Sequence, residues 1–268
     1  MAATEDETRL AKSVGLFRQI SIFLANQLTA AEFKAPGPTQ NLIGRLSLAA
    51  VRQAEGIAAL YQAGPYYAGQ IGQLLRGLLE MWRVAAWLVA PDATLTRNQR
   101  AVGLWVRALS EERTTLEMQA QVEELNVPAA RWRELENQEQ LVEDATKELL
   151  GEAKPKQPGG ARNDYGILER PDRYIVFRRE SETAHVGAIA LGQMVAFQDD
   201  SHVHLGGESP IGDRARKLVI ARDVLADIAD IVVVELDLSA EAWAELRGTN
   251  LREFEASIGP LIGLNEGE

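Results

Sequence analysis

The stretch of residues 65–90 is apolar on almost every side of a helix and is charged only along one narrow edge. Arg76, Glu80 and Arg83 stand at the i, i+4, i+7 spacing, which at about 100° per residue places all three on one face. The other faces carry mainly leucine, isoleucine and tryptophan. This pattern predicts a helix at the centre of a helical bundle. Its charged edge faces either water or an internal polar pocket.

Helical periodicity continues along most of the chain and predicts an all-α fold. Thr4 and Glu7 have the spacing of a capping box, which begins the first helix. Gly64 followed by Pro65 ends the second helix and begins the third. The resulting bundle has six to seven long helices, over about residues 4–33, 39–63, 65–90, 94–126, 128–150, 171–194 and 210–236.

Three polar residues indicate further helix ends. Ser181 either lies within the sixth helix or caps a second segment of it. Ser239 and Asn250 each precede a short helical pattern, so we expect two short C-terminal helices. The only strand that the sequence indicates is a short one at residues 201–205.

The domain organisation follows from one irregular segment and from the length of 268 residues. Residues 151–164 are rich in glycine, proline and lysine, and we expect them to form a mobile linker. The fifth helix, before this linker, is strongly charged, so only a thin apolar stripe of it can pack. We predict one helical bundle domain over residues 1–236 and a short helical appendage over residues 237–268.

Composition excludes several classes of function. Without cysteine the chain has no disulfide framework, thiolate catalysis or iron–sulfur cluster, and cytoplasm is the default location. No apolar run reaches the length of a membrane span, and the acidic N-terminus does not resemble a signal peptide. The net charge of −11 argues against broad DNA binding. A compact RNA site is compatible with the local cluster of Arg162, Arg170, Arg173, Arg178 and Arg179.

Arg76 and Glu80 are one helical turn apart and can form a salt bridge along the third helix. Inside a bundle such a pair can hold a small anionic ligand or orient a side chain from another helix. The alternative is a purely structural pair, since an exposed pair contributes only about 0.3–0.5 kcal/mol. The sequence leaves both interpretations open.

A second polar group precedes and includes His185, the first of three histidines. A histidine can take a proton from a ribose 2′-hydroxyl while a guanidinium stabilises charge on the phosphoryl oxygens. Arg179 and His185, with five residues between them, resemble the Arg-x4–6-His motif of HEPN-type ribonucleases. Those helical proteins have sites that form across a dimer, and some act in toxin or phage-defence systems. Glu180 departs from the motif, because HEPN nucleases often have a small polar residue there.

The HEPN resemblance implies metal-independent RNA cleavage by a homodimer without a cofactor. His185 would act as general base or acid, and Arg179 or Arg178 would stabilise the phosphoryl charge. Glu80 would orient a partner side chain in the site. The alternative is a buried histidine that is bonded to a serine or glutamate and has no catalytic role.

Another resemblance covers roughly residues 66–191. The Arg76-x-x-x-Glu80 helix, followed by Tyr174 and by Ser181-x-x-x-His185, is similar to a group of uncharacterised bacterial helical proteins. The resemblance brings no established activity, but it implies that Arg76, Glu80, Ser181 and His185 converge. We therefore expect an intracellular protein that binds a ligand or partner at this polar site. The ribonuclease is the alternative function.

Asp199, Asp200, His202 and His204 are a candidate set of metal ligands, because alternate residues of an extended segment point the same way. A solvated loop with two histidines is the alternative. Nucleophile elbows, P-loops and dinucleotide fingerprints do not occur in the sequence.

Overall fold

The computed structural model describes residues 4–30, 37–91, 94–122, 127–161, 164, 168–184, 195–198, 203–205 and 210–263. These residues form an all-α fold with one small β-ribbon, which confirms the predicted class. In chain order the elements are α1 (Glu5–Ala30), α2 (Pro38–Ala63), α3 (Ala68–Val89), α4 (Thr94–Ala120), α5 (Ala129–Leu150), α6 (Pro171–Ala184), β1 (Val195–Gln198), β2 (Val203–Leu205), α7 (Ile211–Glu235) and α8 (Ala240–Ile258). Single 3₁₀ turns precede α3 and follow α8.

Local hydrogen bonds account for several helix starts. The backbone N–H of Glu7 donates to the Thr4 hydroxyl at 3.2 Å, as the capping spacing predicts. The N–H of Gly37 donates to the Gln40 side chain at 2.7 Å before α2. Gly64 ends α2 with a φ of 132°, a conformation that favours glycine. These contacts lie within one turn, so the sequence alone could predict them.

Helix α3 lies at the centre of the main core. It packs against α2, α6 and α7, and Leu75, Leu78, Leu79 and Leu88 on it are completely buried. Helix α1 closes the other side through contacts with α2, α7 and α8. The apolar faces of α3 explain this position, because a helix with three apolar sides must be surrounded by other helices. No helix among the described residues is both long enough and apolar enough to cross a membrane.

The C-terminal region differs from the prediction. One continuous helix, α8, replaces the two short helices expected there. Ser239 caps it, accepting from the N–H of Ala242 at 3.3 Å. Asn250 lies inside the helix, buried, and its amide donates to the carbonyl of Leu16 at 2.7 Å, so the interpretation of Asn250 as a cap is wrong. Because Phe254 belongs to the main core, the structure does not divide the core near residue 237.

Residues 153–160 are neither helix nor strand, as the linker pattern predicts. They are attached to α4 at two places. The N–H of Lys156 donates to the carbonyl of Gln99 at 2.9 Å, and the Gln99 side chain donates to the carbonyl of Lys154 at 2.8 Å. Gly103 leaves room for the Lys156 carbonyl, which the Cβ of any other residue would meet. Backbone pairing therefore holds this segment against α4.

Helices α4 and α5 form a hairpin with a small core of its own. That core consists of Leu109, Leu116, Leu135 and Val142. Leu141 is 68% exposed, so Val142 is the residue of α5 that packs at this level. The ribbon of β1 and β2 is antiparallel, and its second strand lies within the stretch where the sequence indicates a strand.

Candidate functional site

Helices α3 and α6 run antiparallel and meet along a polar contact that we call the α3–α6 seam. Three contacts define its direction. A Cβ on Gly72 would meet the carboxylate of Glu180, and Arg76 lies over the ring of Phe177 at 5.5 Å. Farther along α3, the ring of Trp82 lies 4.1 Å from the guanidinium of Arg173. The charged edge of α3 therefore lies along α6, where we expected the second half of the polar site.

At one end of the seam Glu180 forms an ion pair with Lys217 of α7. The Nζ to Oε2 distance is 2.9 Å, and the Glu180 side chain is only 4% exposed. Gly72 makes this possible, because it has no side chain to fill the space that the carboxylate occupies. A buried charge of this kind is costly without its partner, so the pair fixes α6 against α7.

Tyr61 of α2 approaches the same buried region. Its hydroxyl donates to the backbone carbonyl of Arg214 at 2.5 Å. Burial raises the pKa of the Tyr61 phenol well above its ordinary value, the charge of Arg214 lowers it by less, and the charge of Glu180 raises it further. Arg214 itself pairs with Glu7 of α1 at 2.5 Å. Helices α1, α2, α6 and α7 are thus linked by polar groups, of which Tyr61, Glu180 and Arg214 are buried and Glu7 is partly exposed.

Toward the C-terminal end of α3, Arg83 replaces Arg76 as the partner of Glu80. The Arg83 guanidinium donates to both oxygens of Glu80, at 2.5 and 3.0 Å, and also bonds the buried carboxylate of Asp164. The salt bridge that the spacing of Arg76 and Glu80 allows is therefore not formed. Two carboxylates around one buried guanidinium satisfy more of its donors, while Arg76 lies against Phe177 instead.

At the same end of the seam Arg173 is buried between an aromatic ring and a carboxylate. It lies over Trp82, and its Nη2 donates to Asp227 of α7 at 2.5 Å. Burial lowers the pKa of Arg173, an effect that Asp227 opposes and the nearby charge of Arg170 reinforces. Its Nη1 has no acceptor among the described residues. The sequence pattern indicates Arg173 only as one member of a local arginine cluster.

The remaining residues of the predicted site have varied positions. Tyr174 is half-buried against the core, whereas Arg178 and Arg179 lie on the exposed face of α6. The hydroxyl of Ser181 donates to the Phe177 carbonyl at 2.7 Å, within α6, so Ser181 does not cap a new segment. His185 lies outside the described residues, and so does any convergence of its side chain with Arg76 and Glu80.

The metal prediction also falls largely outside the described part of the chain. Asp199, Asp200 and His202 are not described, and for His204 only the backbone of β2 is. Within the ranges that are described, no group of three or more histidine, aspartate or glutamate residues is placed to hold a metal ion.

Comparison with known protein families, with curated proteins and with solved structures finds no significant match. The resemblance to HEPN ribonucleases and the resemblance to bacterial helical proteins both stay predictions. Function must be inferred from the side chains of the seam.

Proposed function

We propose that the α3–α6 seam binds an anionic group, such as a phosphate or carboxylate, on a ligand or partner, and that Arg76 is its main contact. One observation supports this. Arg83, Arg173 and Lys217 each have a carboxylate partner, whereas Arg76 has none among the described residues. Its guanidinium lies over the face of Phe177. An arginine without an acidic partner beside a polar seam is suited to an external anion.

The aromatic contact also favours binding. A guanidinium that lies over a ring keeps its N–H groups at the edges, where they can donate to a phosphate or carboxylate. Arg76 is half-exposed, so an external group can reach it. Phe177 packs against the main core, which fixes the platform on which the guanidinium rests.

The charges around Arg76 define what can bind. Glu80 is held by Arg83, and Glu180 by Lys217, so neither carboxylate forms an ion pair with Arg76. We therefore expect a compact anion to bind here in preference to a neutral molecule.

RNA cleavage needs a general base, and the predicted base is His185, which lies outside the described residues. The distances between the described side chains of the seam therefore give no support for RNA cleavage, and the ribonuclease activity stays a prediction from the sequence. RNA enters the proposal only as one source of a phosphate.

The test is isothermal titration with inorganic phosphate, citrate, AMP and a short single-stranded RNA. At least one should bind the wild type, and Arg76→Ala should weaken it about tenfold or more, as expected for the loss of a charged hydrogen bond. Arg76→Lys should retain part of the affinity, because it keeps the charge and loses the planar edge.

Arg107→Ala is the matched control, since Arg107 is exposed on α4 and, within the described part of the chain, forms an ion pair only with Glu111 in its own helix. This variant should bind like the wild type. Binding that Arg76→Ala leaves unchanged, or no binding of any of the four probes, would contradict the proposal. Running the RNA arm in EDTA, with His185→Ala alongside, separates binding from metal-independent cleavage.

A further inference from the structure

A cavity lies on the side of α7 that faces α8, apart from the α3–α6 seam. Its volume is about 460 Å³, within the range of roughly 300–1,000 Å³ that is typical of small-molecule sites. Most of its wall is apolar and is formed by Val219, Leu251, Phe254, Ile258, Pro260 and Ile262. A molecule that fills this cavity must therefore have an apolar body.

Arg222 supplies the only basic side chain among the described residues of the wall. It is 6% exposed and lies over the ring of Phe254 at 5.7 Å. Its Nη1 donates to Asp223 at 2.9 Å. Its Nε and Nη2 are buried, and neither has an acceptor among the described residues. These two atoms form the edge with which arginine binds a carboxylate through two parallel hydrogen bonds.

A partly exposed arginine of α4 shows why this edge is unusual. Arg97 also has an Nε and Nη2 without hydrogen bonds, but its Nη2 lies 2.6 Å from a carboxylate oxygen of Glu235. The ion pair of Arg222 is made from Nη1, on the opposite side of the guanidinium. A buried charged donor without an acceptor is costly, so the Nε–Nη2 edge needs an acceptor from outside the described chain.

We propose that this cavity binds a small monocarboxylate with an apolar body, whose carboxylate accepts from Nε and Nη2 of Arg222. Because Nε and Nη2 are buried beside the cavity, binding requires the Arg222 side chain, which already forms part of the wall, to turn this edge toward the ligand. Asp223 and Glu255 also line the cavity, and their negative charge opposes any further anionic group. The site therefore selects one carboxylate and rejects polyphosphates. It does not depend on the function of the seam.

The test uses octanoate as the probe and octanol as its uncharged match, each titrated into the wild-type protein by calorimetry. Octanoate should bind, and octanol should bind about tenfold more weakly or less, because it cannot make a charged bidentate contact. Arg222→Gln should weaken octanoate binding by a similar factor and leave octanol binding nearly unchanged. Arg216→Gln, on the exposed face of the same helix, is the matched control and should bind octanoate like the wild type.

A second variant tests the cavity without changing the arginine. Ala256 is exposed at the rim, so Ala256→Trp should fill the cavity without disturbing the core, and octanoate binding should be lost. This variant decides the question if Arg222→Gln does not fold by circular dichroism. Equal affinities for octanoate and octanol, wild-type binding by Arg222→Gln or by Ala256→Trp, or no octanoate binding by the wild type would each overturn the proposal.

Discussion

In the main bundle several charged side chains, such as Glu180 of α6 and Arg83 of α3, are paired where little water reaches them, whereas the α4–α5 hairpin keeps its ion pairs at the surface. The side chain of Glu180 is 4% exposed and that of Glu139 in the hairpin is 32% exposed. Both carboxylates bond one basic partner on a neighbouring helix, Lys217 and Arg113 respectively. The two pairs differ mainly in how much water can reach them.

This difference follows from where each helix can place its apolar residues. Helix α3 has apolar sides toward several neighbours, so polar residues of α6 that contact it are covered. Helix α5 packs mainly on α4 and buries only Leu135, Val142 and Leu150. A buried ion pair contributes specificity and is costly to break, while an exposed one contributes little. Charge in the seam therefore says more about structure and function than charge in the hairpin.

Truncation of the two cores should give the largest difference. Leu78→Ala should lower the free energy of unfolding by about 4–5 kcal/mol, because Leu78 is completely buried in the middle of the main core and its truncation leaves a cavity there. Leu135→Ala in the hairpin should cost about 2–3 kcal/mol, since half-exposed Trp105 and Trp132 border that cluster and can move inward. Guanidinium chloride titration of both variants measures the two losses.

The slope of the unfolding curve serves as the control, because an unchanged slope shows that the same surface is exposed in each variant. If Leu135→Ala costs as much as Leu78→Ala, the hairpin core is as rigid as the main core and the comparison between them fails.

The same substitution in the two ion pairs should give the next largest difference. Glu180→Gln should lower the free energy of unfolding by about 3 kcal/mol, the low end for breaking a buried pair, because the amide oxygen can still accept from Lys217. Glu139→Gln should have almost no effect on unfolding at neutral pH, because its pair is exposed. Parallel denaturation curves compare the two variants.

A Glu180→Gln variant as stable as Glu139→Gln would show that water reaches the seam. The contrast between a covered seam and an open hairpin would then be lost. Circular dichroism of both variants establishes that each one starts from the same helical fold.

Most helix ends could be predicted because a cap depends on residues within one turn. Thr4 and Ser239 both act as caps in the structure. Asn250 has the same local pattern, yet its amide bonds the carbonyl of Leu16 on α1. That choice depends on a helix near the other end of the chain, so no local rule could predict it.

The charged edge of α3 could also be predicted, but its pairing could not. Glu80 is one turn from both Arg76 and Arg83, so the spacing does not decide between them. In the structure Arg83 also bonds Asp164, and Arg76 lies over Phe177 instead. Both of these partners lie outside α3. The same i, i+4, i+7 spacing in α6 places Arg173, Phe177 and Glu180 on one face of that helix. It would not have identified Lys217 or Asp227 as their partners, since these lie on α7.

The smallest predicted effect is the acid dependence of the hairpin pair. Hydrogen bonds from Arg113 hold the pKa of Glu139 below its ordinary value of about 4.5, although partial burial opposes this. Because the pKa is lower in the folded state, the stabilisation is present above about pH 4.5 and is lost as the pH falls through the lowered value. The carboxyl carbon chemical shift of Glu139, followed by NMR, should have its midpoint below 4.5 in the wild type and near 4.5 in Arg113→Gln.

Salt provides the control, because ions screen an exposed pair and should move the wild-type midpoint toward that of the variant. A midpoint that neither Arg113→Gln nor salt changes would mean that Arg113 does not hold the carboxylate. A midpoint that the substitution raises but salt leaves unchanged would mean that the pair is shielded from water. The hairpin would then protect its charges as the seam does, and the two regions would differ in the size of their cores alone.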